Sequence, residues 1–363
     1  MKLSSLLTII SLFVTVATAA DDWLETIRQK HAVPALAAAG MREGQLLALG
    51  AVGTRQFGES TAVTNEDLWH IGSCTKSMTG TLAGMLHDEG KVRWEMKIGD
   101  VLPELKDRLH DGWETVTIEQ LLTNRGGAPT QPPTKAWQAA WTATGSPVKQ
   151  RLSFARAWMA EKPAAPPGTK FIYSNQGVSL AGAMLERLAG KPYEELLREK
   201  LFVPLGMKSA GFGPPGSATV IDQPRGHDGK PGAFTPKPPG NGADNPEAIT
   251  PAGRVHCSIG DFVRYATWHA RGPLRDVKLM SDETFRRLHA NPAGSDYAMG
   301  WIVMERPWGG GRVLMHNGSN NSWFVVMWVA PEKQSAYVAA TNCAGDAAAK
   351  AVDDAVASLI LRP

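Results

Sequence analysis

Trp69-His70-Ile71-Gly72-Ser73-Cys74-Thr75-Lys76-Ser77-Met78-Thr79-Gly80 carries a Ser-x-x-Lys pair at the start of a predicted helix. Residues three apart share a helical face, so Lys76 reaches the Ser73 hydroxyl. Serine is a weak nucleophile until a neighbouring base takes its proton, and an amine held one turn away helps to supply that activation. Apolar residues recur at Cys74, Met78, Leu82, Met85 and Leu86, and Gly90 is placed to close the helix. The stretch predicts a buried helix with a covalent serine nucleophile in its first turn.

Four letters prove little without context. Ser146-Pro147-Val148-Lys149 has the same spacing but follows Thr-Gly and reads as a loop entering a helix. A capping serine with a surface lysine is the commoner meaning of such a pair. Only the Ser73 copy sits inside a strongly apolar helical pattern.

Outward from this helix, the 363 residues suffice for a sizeable core and two structural lobes. Lys2, the apolar run Leu6 to Val16 and Ala17-Thr18-Ala19 read as an export signal over residues 1–19, with the mature chain starting at Ala20. No cysteine follows the cleavage site and no later stretch is long and apolar enough to span a bilayer. The expected location is therefore exported, periplasmic or secreted. A net charge of +3, scattered along the chain, gives no footprint for nucleic acid. Three cysteines, Cys74, Cys257 and Cys343, allow at most one internal disulfide. The nine histidines show no zinc-binding spacing, so no metal is expected.

Trp23 to His31 reads as a short helix, and Ala35 to Met41 with Gln45 to Gly53 as a hairpin turning at Arg42-Glu43-Gly44. The Pro/Gly-rich Gly211 to Asn245 reads as irregular, a long loop of the kind that borders a binding site. Ser258-Ile259-Gly260-Asp261 reads as a capping box opening a helix from Phe262 to Ala270. Met299 to Met304, Arg312 to Met315, Trp323 to Ala330 and Ala336 to Thr341 read as strands, and Asp346 to Leu361 as a last helix. Strands at both ends with helices between predict an α+β fold. An antiparallel sheet is flanked by N- and C-terminal helices and interrupted by a large, mainly helical insertion, with the active site between the lobes. The expected division is an α/β lobe over about 20–72 and 250–363 and a helical lobe over about 73–249.

Covalent serine chemistry also needs a second proton-handling group and an oxyanion hole. Tyr173-Ser174-Asn175 is the one Tyr-x-Asn in the chain and precedes a helical run from Gly177. His316-Asn317-Gly318 ends a predicted strand, whereas His110-Asp111-Gly112 and His227-Asp228-Gly229 lie in polar, turn-rich surroundings without strand patterning. Taken alone, the tyrosine is more often a packing residue and the histidine a structural one.

In their order, Ser-x-x-Lys, Tyr-x-Asn and His-x-Gly resemble the motifs of the serine β-lactamase-related superfamily. The chain is similar in particular to the branch of class C β-lactamases, D-Ala-D-Ala carboxypeptidases, D-aminopeptidases and family VIII-type esterases. The likeness extends to Gly90-Lys91-Val92, Leu121-Leu122-Thr123, Pro167-Gly168-Thr169 and Pro204-Leu205-Gly206-Met207. The resemblance implies Ser73 as nucleophile, Lys76 as the lysine sharing its proton, and Tyr173 as general acid/base, either a phenolate or a relay. It implies Asn175, His316 and Gly318 as substrate-orienting residues and the backbone N–H groups of Ser73 and Ser319 as the oxyanion hole. It implies no cofactor. His316 stands where class C β-lactamases carry a lysine, and Asn124, Arg254, His256, Cys257 and Asn321-Ser322 also depart from the usual pattern.

The expected activity is cleavage of an ester or amide through an acyl-enzyme, by an esterase or D-amino-acid peptidase acting on a small molecule or peptide. The alternatives are a β-lactamase and, from another class, a penicillin-recognising sensor without useful turnover. Cys74 is the rival nucleophile, turned by its position to another helical face.

Overall fold

The computed structural model describes residues 14–240 and 242–362, with the backbone alone for 14–21 and 108. The export-signal reading therefore falls largely outside the described residues. The first helix begins at Val14, earlier than Trp23, and runs to His31.

Eleven strands form three sheets among the described residues. In chain order they are β1 Ala35–Arg42, β2 Gln45–Gly53, β3 Leu68–His70, β4 Gly211–Phe212, β5 Gly226–Lys230, β6 Ala233–Lys237, β7 Val255–Ser258, β8 Ile302–Arg306, β9 Gly311–Ser319, β10 Phe324–Ala330 and β11 Ser335–Thr341. The main sheet is antiparallel in the order β2-β1-β11-β10-β9-β8, so the N-terminal hairpin closes onto the C-terminal strands. The hairpin turn is Glu43-Gly44, both at positive φ, the geometry whose twist suits a two-residue connection.

The central strands are apolar on both faces because both faces are covered. Along β1 the period of two sends Leu36 and Ala38 to one core and Ala35, Ala37 and Ala39 to the other. One core lies under the terminal helices Val14–His31 and Asp346–Ile360. The other lies under the helix Ile259–Ala270 and continues into the helical region between β3 and β7. Ala348, Ala351, Val352, Ala355, Val356 and Leu359 are the buried stripe of the last helix, at the three- and four-residue spacing of one face.

The Gly211–Asn245 stretch corrects the sequence reading. It contributes β4 to a small sheet, β3-β7-β4, and forms a hairpin from β5 and β6. The hairpin escaped notice because it buries little beyond Gly226, His227 and Phe234 and is otherwise polar. His227 thus sits in a strand, but Asn342 O and the Phe57 N–H occupy its two ring nitrogens at 2.7 and 2.9 Å. The capping box is also only half formed. Ser258 accepts from Asp261 N, while the Asp261 carboxylate turns to the Ser209 amide and hydroxyl.

No described helix is long and apolar enough to cross a membrane. All three cysteines are buried and free.

The helix Thr75–Asp88 is buried all round through Leu86, and it passes close to backbone. A Cβ on Gly80 would lie 2.4 Å from Met299 O, an atom that cannot swing away. Gly→Ala inside a helix normally gains about 0.5–1 kcal/mol, but overpacking costs about 1–3 kcal/mol. Gly80→Ala should therefore lower the thermal midpoint by a few degrees; a midpoint equal to or above that of the parent protein would contradict this packing.

Candidate active site

Strand β3 ends at His70 and delivers the chain into a 3₁₀ turn, Gly72–Cys74, that runs directly into the helix Thr75–Asp88. Ser73 lies in this turn, half-buried. The turn is fastened from below, because Thr75 Oγ1 donates to Gly72 O at 2.7 Å and accepts from Val255 N at 3.2 Å. Ile71 N donates to Val255 O at 2.9 Å. The decoy pair behaves differently: Ser146 is exposed and caps the helix Pro147–Trp158, and Lys149 is exposed too.

Lys76 is almost completely buried. Its Nζ lies 2.7 Å from both Asn175 Oδ1 and Ala252 O, which take the two protons of a neutral amine, and 3.0 Å from Ser73 Oγ, whose proton its lone pair is placed to accept. It also lies 4.7 Å from the centre of the Tyr173 ring. Burial penalises the ammonium form and brings the amine down to about 7. Tyr173 precedes Ser174, which caps the helix Asn175–Ala189, and its hydroxyl faces Ser73. Burial raises this phenol far above its ordinary range, so it is neutral at pH 7 and not a phenolate.

At the end of β9, two glycines let main chain approach main chain. A Cβ on Gly318 would sit 2.0 Å from Ile71 O and 2.9 Å from Ser73 N; one on Gly72 would sit 2.5 Å from Ser319 N. Their absence brings the Ser73 and Ser319 amides to the same place, as an oxyanion hole requires. Gly318 accordingly serves close packing and has no side chain with which to orient a substrate.

His316 is brought to the site but faces inward. Its Nδ1 is 2.5 Å from Asn317 O, so that nitrogen carries the proton, and Nε2 accepts from the Tyr297 hydroxyl at 3.0 Å. Burial, with Lys76 nearby, lowers the imidazole to about 3, and it is neutral. Both ring nitrogens are used within the protein. Tyr297 is the side chain it meets within the site.

Several contributors escaped the sequence reading. Asn124, at positive φ, brackets Tyr173: its carbonyl accepts from Ile172 N at 2.8 Å and its Oδ1 from Ser174 N at 3.0 Å. Tyr297 packs edge-on against Tyr173, and the Asn124 amide lies beside its hydroxyl. The departure at Asn124 was a visible signal; nothing in its own neighbourhood marked Tyr297. Cys74 Sγ points to His316 O at 3.4 Å, away from the Ser73 side, and burial pushes its thiol up. Iodoacetamide should leave Cys74 unmodified in the native protein and activity intact; a carboxamidomethyl group on Cys74 with loss of activity would contradict this placement.

Known proteins resemble this chain over most of its length. The family described as Beta-lactamase matches residues 20–362. The chain is 28% identical over 322 residues to penicillin-binding protein 4 of Amycolatopsis lactamdurans, covering 86% of this chain and 81% of that one. It is 27% identical over 248 residues to a beta-lactamase of Pseudomonas fluorescens, covering 68% and 62%. Among solved structures, the octameric penicillin-binding protein homologue from Pyrococcus abyssi superposes with a TM-score of 0.76 at 25% identity, over 93% of this chain and 76% of that one. A D-stereospecific amidohydrolase from Streptomyces sp. shares the fold, with a TM-score of 0.72 at 20% identity over 94% and 98%. The chain belongs to the beta-lactamase family and is a hydrolase of the serine beta-lactamase fold.

Proposed function

We propose that this chain is an exported hydrolase that cleaves esters or amides through an acyl-enzyme on Ser73, with little demand for a carboxylate on the substrate. The observation that carries this reading is the third motif. His316 is neutral and closed off by Tyr297 and Asn317 O, so among the described residues the third motif offers no fixed cation to receive a β-lactam or D-alanyl carboxylate. An esterase, or a D-amino-acid peptidase whose substrate needs no free carboxylate, is favoured over a β-lactamase on this ground. The export-signal pattern of residues 1–19 supports action outside the cytoplasm.

In the proposed reaction the neutral Lys76 amine accepts the Ser73 proton as Oγ attacks the carbonyl carbon. The amides of Ser73 and Ser319 donate to the oxyanion. As the tetrahedral intermediate collapses, the bond to the leaving group breaks, and Tyr173 passes it a proton that the Lys76 ammonium replaces. Water then attacks the acyl-enzyme along the same path in reverse, returning the proton to Ser73. Asn175 Oδ1 and Ala252 O hold the amine in place throughout.

Intact mass during turnover tests both halves of this reading. A neutral activated ester should add its acyl mass at Ser73, and Ser73→Ala should show no adduct. A charged hydrogen bond is worth about 1.5–3 kcal/mol. Where no cation receives a carboxylate, a substrate bearing one should gain no such advantage, and a neutral ester should acylate at least as fast as a matched ester with a carboxylate on its leaving group. Labelling that persists in Ser73→Ala would overturn the nucleophile, and a preference of about tenfold or more for the carboxylate ester would overturn the substrate class.

A further inference from the structure

Behind the nucleophile turn lies a buried carboxylate that the reaction outlined above does not use. Asp244 comes from the stretch expected to be irregular, yet it is 6% exposed and sits where several segments of the site converge. His70 Nδ1 accepts from Gly72 N at 3.2 Å, so its proton is on Nε2, which lies 2.7 Å from Asp244 Oδ1 in a close polar contact without the alignment of a hydrogen bond. The same Oδ1 accepts from Asn320 Nδ2 at 3.3 Å and from Asn245 N at 2.6 Å. Its partner Oδ2 accepts from Arg254 Nε at 3.1 Å. Asn245 Nδ2 donates to Gly253 O at 3.1 Å, next to the Ala252 carbonyl that receives Lys76.

Two of these links lead to the oxyanion amides. Gly72 precedes Ser73 and Asn320 follows Ser319, so one carboxylate is tied on one side to the turn bearing the first amide and on the other to the loop bearing the second. Burial would raise this carboxyl, but His70 and Arg254 beside it hold it below its ordinary value, so it is an anion at neutral pH. An anion accepts from Asn245, Asn320 and Arg254 at once and attracts the His70 N–H that faces it. An amide in its place cannot, because its nitrogen must face either Arg254 Nε or His70 Nε2, donor against donor.

We propose that Asp244 is a positioning residue that sets the spacing of the Ser73 and Ser319 amides, acting through His70 on one and Asn320 on the other. Arg254 keeps the carboxylate ionised and oriented. Misplaced oxyanion donors weaken transition-state binding far more than substrate binding. This inference rests on the Ser73 acyl-enzyme reading, and its test separates the two.

In Asp244→Asn, kcat for a neutral ester, expressed per Ser73 titrated with a fluorophosphonate, should fall by about 100-fold. KM should stay within about twofold, and an arylboronic acid, which forms a tetrahedral adduct on serine, should bind more weakly by a factor similar to the loss in kcat. A carboxylate with a merely structural role would reduce the titratable fraction and leave kcat per titrated site and boronate affinity unchanged; that result overturns the proposal. Should Asp244→Asn fail to fold, Asn320→Ala removes the tie on the Ser319 side, together with the Asn320 bonds to Ala243 O and Ser322 N, and leaves the His70 side in place. Its kcat per titrated site should drop by about tenfold at an unchanged thermal midpoint, and an unaltered kcat overturns the proposal equally. A fluorophosphonate adduct mapped to Ser73 in the parent protein keeps the hydrolase reading standing in either case, whereas its absence there defeats that reading first.

Discussion

A lysine amine taken out of water at the centre of the molecule is the constraint on which the rest of this structure turns. Transferring an ammonium ion into a buried site is costly, and the usual relief is loss of the proton. Lys76 takes that route, with its amine brought down to about 7 by burial while Ser73 Oγ, Asn175 Oδ1 and Ala252 O surround it. Each of these neighbours comes from a different part of the chain. The nucleophile turn, the Asn175–Ala189 helix and the segment before β7 must therefore all be in place before the base has its environment.

Close approach of backbone supplies the remaining precision. Gly318 and Gly72 let the end of β9 touch the Ser73 turn, and Gly300, at positive φ, packs a backbone carbon against Lys76, where a Cβ would lie 2.5 Å from the lysine carbonyl carbon. Such contacts between main-chain atoms cannot relax by a change of rotamer. They hold the Ser73 and Ser319 amides, the proposed oxyanion hole, and Lys76 in one frame, to which Asn124 adds Tyr173 and Asp244 adds contacts behind the turn.

Much of this frame was legible along the chain. Strands buried on both faces, such as β1 and β11, announce themselves as continuous apolar runs, and Glu43-Gly44 is a turn by its local chemistry. The Ser73, Tyr173 and His316 motifs stand at the ends of elements whose periodicity is clear, so their convergence followed from the order of those elements. What could not be read were contacts made across the fold by residues with bland neighbours. Tyr297 has no local pattern that points at His316, and Asp244 lies in a stretch whose composition signals only turns. His316 was found by its motif, yet its inward orientation depends on Tyr297. That partnership could not be read from sequence.

The central claim is that Lys76 is a neutral amine when it activates Ser73, and a direct titration tests it. Protein carrying ¹³C-labelled lysine would be followed by NMR across pH, with Lys76→Arg identifying the resonance. The amine is charged below its midpoint and free above it, so the signal should move near pH 7, and kcat/KM for a neutral ester should rise with pH through the same midpoint. A Lys76 resonance that titrates near the ordinary lysine value of about 10.4, with activity flat through neutrality, would show a charged lysine beside the serine and contradict the account.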